Sequence, residues 1–156
     1  MTSQRRRPRI AVASALLAAV AVSVPALPAL ADAPEPWKYD FGTPSSPVAS
    51  GWTGVHENTI YTEEAGFGID PESASRISRD RGADHSDLDR DWVAGLGWTF
   101  LVDLPNGDYD VTVTMGDLLA GTSTITNNIV LEDEAAGTLS ARQEIKSGTY
   151  RTTVAD

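Results

Sequence analysis

Alternating apolar and polar residues predict β-strands in the second half of the chain. Apolar side chains occupy every second position from residue 96 to 102 and again from 109 to 115. Successive side chains of a strand point to opposite faces of its sheet, so each segment predicts a strand with one apolar face. Asn106-Gly107, which lies between them, favours a tight turn that pairs two strands. The pattern therefore predicts a β-hairpin whose apolar face, including Trp98 and Phe100, lies in the core.

Alternation also predicts strands on both sides of this hairpin. In residues 37–41 the aromatic side chains share one face, whereas Lys38 and Asp40 are expected on the other. Residues 71–91 form a polar stretch that is long for a loop and is expected to be functional, short-helical or mobile. Further strands are predicted at residues 59–62, 124–131, 139–145 and 149–154, the last two joined by a turn at Ser147-Gly148. Many short strands without helical periodicity predict an all-β fold, a β-sandwich of the jelly-roll type.

The N-terminus has the composition of a cleaved export signal. Four arginines, without any acidic residue, precede an apolar run at 10–30 that ends in Ala29-Leu30-Ala31. A positive start, an apolar middle and small residues before the cut are the three parts of such a signal. The pattern predicts cleavage after Ala31 and an extracellular, secreted product. The alternative is a permanent transmembrane anchor, but Pro25 and Pro28 interrupt the apolar run.

The predicted organisation is a signal peptide at residues 1–31, a proline-containing linker at 32–36 and one domain at 37–156. The chain has 12 Lys and Arg against 22 Asp and Glu, for a formal net charge of −10, and the leader holds only positive charges. A secreted surface this negative repels nucleic acid and anionic lipid, so neither is an expected partner after cleavage. The absence of cysteine excludes disulfides, thiol nucleophiles and cysteine-ligated zinc or iron–sulfur sites.

No recognisable catalytic motif is present in the sequence. Its histidines are His56 and His85, and the G-x-S-x-G elbow of many serine hydrolases is missing. Gly116-Asp117-Leu118 resembles the G-D-S block of one esterase class but has leucine in place of serine. With 22 acidic residues, paired carboxylates occur by chance and do not identify a glycosidase. The chain is therefore predicted to be non-catalytic and to use no catalytic cofactor.

Aromatic and polar side chains in predicted loops or at strand ends are candidates for sugar binding. Pyranose rings stack on Trp or Tyr, and their hydroxyls bond to Asp, Asn, Arg or His. The candidates are Trp52, His56, Tyr61, Arg79, Asp80, Arg81 and Trp92. Packing and ligand contact are both open for Trp52 and Trp92. Arg79-Asp80-Arg81 is either a ligand clamp or an internal ion pair, and the ion pair is preferred.

Asp87, Asp89 and Asp91 alternate along the chain and are candidate ligands for a structural calcium ion. Carboxylate oxygens are the hard ligands that Ca²⁺ prefers. The glycine and the distal glutamate of an EF-hand loop are absent here, so solvated loop charge is the competing interpretation.

An ordered series of motifs resembles a known family of domains. The motifs are Asp40-Phe41-Gly42, Gly51-Trp52-Thr53, Arg79-Asp80-Arg81, the segment 98–113 and Gly116-Asp117. Together they resemble the galactose-binding-like N-terminal domain of secreted bacterial rhamnogalacturonan acetylesterases and of related agarases and pectin-degrading enzymes. The resemblance implies a jelly-roll accessory domain that precedes a catalytic domain, often a GDSL/SGNH hydrolase. It implies plant cell-wall or algal polysaccharide as partner (pectin, rhamnogalacturonan, galactan or agar), but it transfers no ligand residues.

Three functions are compatible with these observations. The leading hypothesis is a non-catalytic, carbohydrate-associated module of an extracellular polysaccharide-degrading enzyme. The alternatives are a purely structural scaffold for a neighbouring catalytic domain and a small secreted hydrolase in its own right. The printed sequence stops at Asp156, directly after a predicted strand, and a sandwich needs strands to cover its edges. We therefore expect the last strands and a catalytic domain to follow.

Overall fold

The computed structural model describes residues 9–13, 15–23 and 36–155, and every regular element in these ranges is a β-strand. In chain order the strands are β1 (Arg9–Ala13), β2 (Ala15–Leu17), β3 (Ala19–Ser23), β4 (Trp37–Phe41), β5 (Thr53–Val55), β6 (Phe67–Ile69), β7 (Arg76–Asp80), β8 (Asp91–Gly95), β9 (Trp98–Val102), β10 (Gly107–Gly116), β11 (Ile125–Leu131), β12 (Glu134–Ala141) and β13 (Ile145–Val154). This all-β architecture confirms the predicted fold class.

Two five-stranded sheets and one three-stranded sheet organise the chain. The first large sheet has the strand order β12-β11-β1-β9-β6, and the second has the order β13-β10-β3-β4-β5. The small sheet has the order β2-β8-β7. Strand pairs are antiparallel except for β4 and β5, which run parallel. The parallel pair places the loop after β4 beside the edge of its own sheet, where the candidate site lies.

Aromatic side chains of β4 and β9 join the two large sheets. Phe41 and Phe100 meet edge to face with ring centroids 5.0 Å apart, and Tyr39 lies 4.9 Å from Phe100. Such aromatic pairs contribute about 0.5–1.5 kcal/mol beyond the area that they bury. Trp98 is 0% exposed beside Phe41, which confirms its predicted place in the core. The strand predicted at residues 37–41 is confirmed as β4.

The predicted hairpin at Asn106-Gly107 is wrong. Strand β9 pairs with β1 and β6, whereas β10 pairs with β3 and β13, so the connection crosses from one large sheet to the other. Neither Asn106 nor Gly107 has the positive φ that a two-residue hairpin turn requires. The hydroxyl of Tyr109 instead donates a hydrogen bond to the carbonyl of Pro105 at 2.7 Å and holds the corner. Because β9 and β10 lie in different sheets, their apolar faces meet in the core. A hairpin would show the same alternation, so the sequence pattern did not distinguish the two arrangements.

Three further sequence predictions are corrected by the structure. The polar stretch at residues 71–91 contains β7 and the first residue of β8, so it is neither helical nor a continuous loop. The segment 59–62 makes only isolated bridges, at Ile60 and Thr62. Ser147-Gly148 lies within β13, and the chain turns before it, near Gln143, whose φ is 50°. In each case, pairing with a distant strand decides the element, and that pairing leaves no local signal.

The segment predicted to be an export signal supplies strands β1, β2 and β3. Strand β1 lies between β9 and β11, and β3 lies between β10 and β4. Leu17, Val20 and Val22 are completely buried. The described residues include no helix with the length and apolar character needed to cross a bilayer. The predicted cut after Ala31 and the linker up to residue 35 lie outside the described residues, and cleavage stays a prediction.

Removal of residues 1–31 should destabilise the fold of the remaining chain. A chain that begins at Asp32 would lack an interior strand of each large sheet, and burial of each apolar core side chain contributes about 1.5–3 kcal/mol. We expect urea unfolding, followed by tryptophan fluorescence, to show a loss of more than about 4 kcal/mol or no cooperative transition. In the full chain, Val20→Ala should cost about 2 kcal/mol, and Val48→Ala, at a side chain that is 47% exposed, under about 0.5 kcal/mol. Equal midpoints for the two chain lengths would contradict the placement of β1 and β3.

Gly107→Ala should leave stability within about 0.5 kcal/mol of the original protein. An added Cβ there meets only the Tyr109 ring, at 3.8 Å, which is ordinary van der Waals contact. A two-residue hairpin turn would instead need a positive φ at Gly107, and alanine would be strained there. Chemical denaturation distinguishes the two arrangements, because a loss above about 1 kcal/mol would support the hairpin and contradict the crossing.

Candidate binding site

An acidic pocket of about 200 Å³ lies between β4, β5 and the start of β8. Two carboxylates, two hydroxyls, one imidazole and several backbone segments surround it. Its lining residues are Asp40, Gly42, Thr43, Pro44, Ser46, Pro47, Val48, Gly54, Val55, His56 and Asp91. The pocket therefore combines a polar floor with a wall formed by the loop that connects β4 to β5.

Asp40 enters the pocket because it alternates with two core aromatic residues. Tyr39 and Phe41 are buried on one side of β4, so the side chain between them points to the opposite side. The sequence pattern placed Asp40 on this face, where its side chain is only 3% exposed. The loop after β4 covers it, and the N–H of Ala49 donates a hydrogen bond to its Oδ2 at 2.8 Å. The predicted face of Asp40 is therefore confirmed, and the loop buries it there.

Asp91 reaches the same pocket from the first position of β8. Its side chain is 2% exposed and interacts with the Ser46 hydroxyl and the Thr43 backbone amide. Thr43 and Ser46 also bond to each other, with the Thr43 N–H donating to the Ser46 hydroxyl oxygen at 2.8 Å. A Cβ at Gly42 would overlap the Asp91 carboxylate. The glycine of the Asp40-Phe41-Gly42 motif is therefore needed for the loop to approach Asp91.

Burial makes both carboxyl groups hard to ionise. It raises the pKa of Asp40 from 3.8 to about 6, with a further rise from the negative charges of Asp91, Asp87 and Asp89. The hydrogen bond from Ala49 opposes this rise. Burial likewise raises the pKa of Asp91, while the Ser46 hydroxyl lowers it. The pocket floor is thus a pair of carboxyl groups whose charge the surrounding protein disfavours.

The structure brings only some of the predicted ligand residues to this pocket. His56 lines it, and its Nδ1 accepts a hydrogen bond from the Asn58 N–H at 3.2 Å. Trp52 is half-buried in the turn just before β5, and its backbone N–H donates to the Ala49 carbonyl at 3.0 Å. Tyr61 does not line the pocket, and its hydroxyl donates to Asp103 at 2.9 Å.

The remaining candidates lie around Trp92 and are engaged with one another. Trp92 is 6% exposed, with the guanidinium groups of Arg79 and Arg81 lying 5.9 and 5.6 Å from its ring centroid. Arg81 also forms an ion pair with the buried Asp117. A covered ring cannot stack on a sugar without rearrangement.

Asp80 also has an internal partner. Both of its carboxylate oxygens accept hydrogen bonds from Arg90, at 3.0 and 2.8 Å, and its Oδ1 accepts one from the Gly82 N–H. The hydrogen bonds from Arg90 and Gly82 lower the pKa of Asp80. The motif Arg79-Asp80-Arg81 therefore makes internal ion pairs with two separate partners.

The three candidate calcium ligands do not lie together. Asp87 is exposed, with a carboxylate oxygen 3.9 Å from Arg90, and Asp89 accepts a hydrogen bond from the Ser86 hydroxyl at 2.6 Å. Asp91 alone of the three lines the pocket. Among the residues that the structure describes, no three His, Asp or Glu side chains converge as metal ligands.

Sequence reasoning missed Asp40, Gly42, Thr43 and Ser46. Strand alternation predicted the face on which Asp40 lies but not its burial, because a local pattern does not show which loop will cover a strand. The Asp40-Phe41-Gly42 motif carried the one available signal, since a glycine at a strand often marks a close approach of another segment or a ligand.

Comparison with known proteins identifies related sequences. A family model described as beta-agarase/YXIM esterase-like, galactose-binding domain-like, matches residues 37–138. The chain is also 35% identical over 91 residues to the uncharacterized esterase YxiM of Bacillus subtilis (strain 168). That alignment covers 54% of this chain but only 22% of the relative. No solved structure matches the chain.

Lowering the pH should stabilise the folded protein through Asp40. The measurement is made with a chelator present, so that metal ions do not contribute. A carboxyl group whose pKa is higher in the folded state binds protons preferentially there, so its contribution is full below 3.8 and is lost as the pH rises through about 6. A pKa rise of this size corresponds to at most about 3 kcal/mol. We expect the urea midpoint to rise between pH 7 and pH 5, and to rise less in Asp40→Asn. The exposed Asp84→Asn should follow the original protein, and an unchanged pH profile in Asp40→Asn would contradict the assignment.

Proposed function

This chain belongs to the beta-agarase/YXIM esterase-like, galactose-binding domain-like family, and from that premise we propose that it is a non-catalytic carbohydrate-binding module. The family match over residues 37–138 is the observation that carries the proposal. The acidic pocket supports it, because carboxylates, hydroxyls and an imidazole are suitable partners for sugar hydroxyls. Its parent would be a secreted enzyme that degrades plant cell-wall or algal polysaccharide.

The parent enzyme is proposed to be a carbohydrate esterase of the rhamnogalacturonan acetylesterase type. The relative from Bacillus subtilis is named an esterase, and the aligned region covers 22% of it. A catalytic domain outside the matched region would perform the reaction. The module would hold that domain close to its polymeric substrate and raise the effective concentration of acetyl groups near the catalytic site.

The mouth of the acidic pocket is the proposed sugar-binding surface. His56 lines the pocket just after β5, and Trp52 lies in the loop that connects β4 to β5, between the lining residues Val48 and Gly54. A half-exposed indole next to hydrogen-bonding groups suits a pyranose, which has an apolar face and a rim of hydroxyls. Trp92 is excluded from this surface, because two guanidinium groups and neighbouring residues cover its ring.

A scaffold that only supports the neighbouring catalytic domain is the second candidate function. One observation favours it: four of the predicted ligand residues already have internal polar partners. These residues are Tyr61, Asp80, Arg81 and His56. A purely structural module would need no accessible ligand groups, and substitution at Trp52 would then change only its stability.

Affinity electrophoresis on gels with pectin, rhamnogalacturonan, galactan or agarose tests the binding function. We expect retardation in at least one gel, and Trp52→Ala should weaken binding tenfold or more, about 1.4 kcal/mol. The matched control is His85→Ala, a half-buried residue outside the pocket lining, which should bind like the original protein. Trp92→Ala should lose about 3–5 kcal/mol of stability instead, because its ring is buried. Equal mobility in all gels, with a folded protein, would contradict binding and favour the scaffold.

A further inference from the structure

Two oxygen atoms at the floor of the acidic pocket lack partners. The Oδ1 atoms of Asp40 and Asp91 accept no hydrogen bond within the described part of the chain, although both side chains are more than nine-tenths buried. A buried carboxylate with an unused oxygen is among the least favourable groups in a protein interior. Two such carboxylates in one pocket would be stabilised by a positive charge between their free oxygen atoms.

Within the described residues, the nearby basic side chains do not bond to these two oxygen atoms. Arg90 acts on Asp91 electrostatically, but its Nε and Nη2 atoms donate hydrogen bonds to Asp80. Arg81 is committed to Asp117. The described residues thus place two carboxylates in the pocket and direct the neighbouring guanidinium groups elsewhere.

We infer that Asp40 and Asp91 together bind one Ca²⁺ ion at the floor of the pocket. The hydroxyl-bearing Thr43 and Ser46 line the same space, and a cavity of about 200 Å³ leaves room for coordinating waters. These are hard oxygen donors, which suit Ca²⁺ better than zinc or copper. Calcium accepts six to eight oxygens in irregular geometry, so two carboxylates with hydroxyls and water are a sufficient set, whereas Mg²⁺ requires a stricter octahedron.

The shape of the loop supports a site built for an ion. Gly42 brings the backbone so close to Asp91 that a Cβ would overlap the carboxylate. The Ala49 amide fixes Oδ2 of Asp40 and leaves Oδ1 for a ligand. One oxygen of each carboxyl group is thus held or crowded by the loop, while the other stays available.

This site differs from the calcium loop predicted at Asp87, Asp89 and Asp91. It keeps Asp91, replaces the other two ligands with Asp40 and uses the loop after β4. Asp87 and Asp89 contribute only their charge, which acts on Asp40 from a distance. The inference does not depend on sugar binding, because the ion would sit below the mouth of the pocket.

Calcium titration of the EDTA-treated full chain tests the inference. Isothermal titration calorimetry with CaCl₂ should show one saturable site per chain. Thermal unfolding should shift upward by about 5–10 °C at saturating CaCl₂, because the ion binds only the folded state. MgCl₂ at equal ionic strength should shift it less, which separates specific binding from charge screening.

Variants identify the ligands and separate binding from folding. Asp40→Asn and Asp91→Asn should each weaken Ca²⁺ binding more than tenfold, while Asp87→Asn and the exposed Asp84→Asn should stay within about threefold. The double variant Asp40→Asn with Asp91→Asn should unfold at a higher temperature than the original protein in EDTA and should no longer respond to CaCl₂. A carboxyl pair with only a structural role would not produce this combination, in which the double variant gains stability in EDTA and loses its response to CaCl₂.

Several results would overturn the inference. No saturable heat and no calcium-specific thermal shift in the original protein would refute the site, whatever the variants do. Equal shifts with CaCl₂ and MgCl₂ would indicate nonspecific screening. Loss of binding in Asp87→Asn with retention in Asp40→Asn would place the ion in the exposed loop instead. Retardation of the protein in a polysaccharide gel that contains EDTA would show that sugar binding does not require the ion. The proposed function and the calcium site can therefore fail independently.

Discussion

Phe41 of β4 and Phe100 of β9 meet edge to face across the interior, with ring centroids 5.0 Å apart, and the candidate site depends on this contact. The contact orients β4 so that its aromatic side chains point into the core. Strand alternation then forces Asp40 to the opposite side, under the loop that continues to β5. The acidic pocket is a direct consequence of how the two sheets are joined. An acidic side chain on the face opposite the core aromatic residues is therefore buried under that loop.

The pocket concentrates negative charge where burial opposes it. Asp40 and Asp91 come from distant positions of the chain, and each has a pKa raised mainly by burial. Elsewhere in the described residues, acidic groups such as Asp80 and Asp117 are balanced by arginines. The contrast separates two uses of charge in one domain: ion pairs that fix β7 and its surroundings, and a carboxyl pair whose remaining oxygens are free for an external partner. A cation or sugar hydroxyls would both relieve that imbalance, at different depths of the pocket.

Alternation in the sequence predicted β4 and the all-β class, because buried strand faces leave a period of two. It also predicted Trp98 in the core. It failed where long-range pairing decides: the connection at Asn106-Gly107 has a strong local turn signal, yet β9 and β10 belong to different sheets. Burial of Asp40 was not predicted either, because alternation does not show that the loop after β4 folds back over the strand or that the distant Asp91 meets it there. Residues 9–23 are a third example of a structure that the local pattern did not decide, because an apolar run is typical of both an export signal and interior strands.

A double-mutant cycle on Phe41→Leu and Phe100→Leu tests the joining of the two sheets most directly. Urea unfolding of the original protein, both single variants and the double variant gives the coupling free energy between the two rings. We expect a favourable coupling of about 0.5–1.5 kcal/mol, as for other edge-to-face aromatic pairs. Additive effects, with a coupling indistinguishable from zero, would mean that β4 and β9 do not face each other and would contradict the position assigned to Asp40.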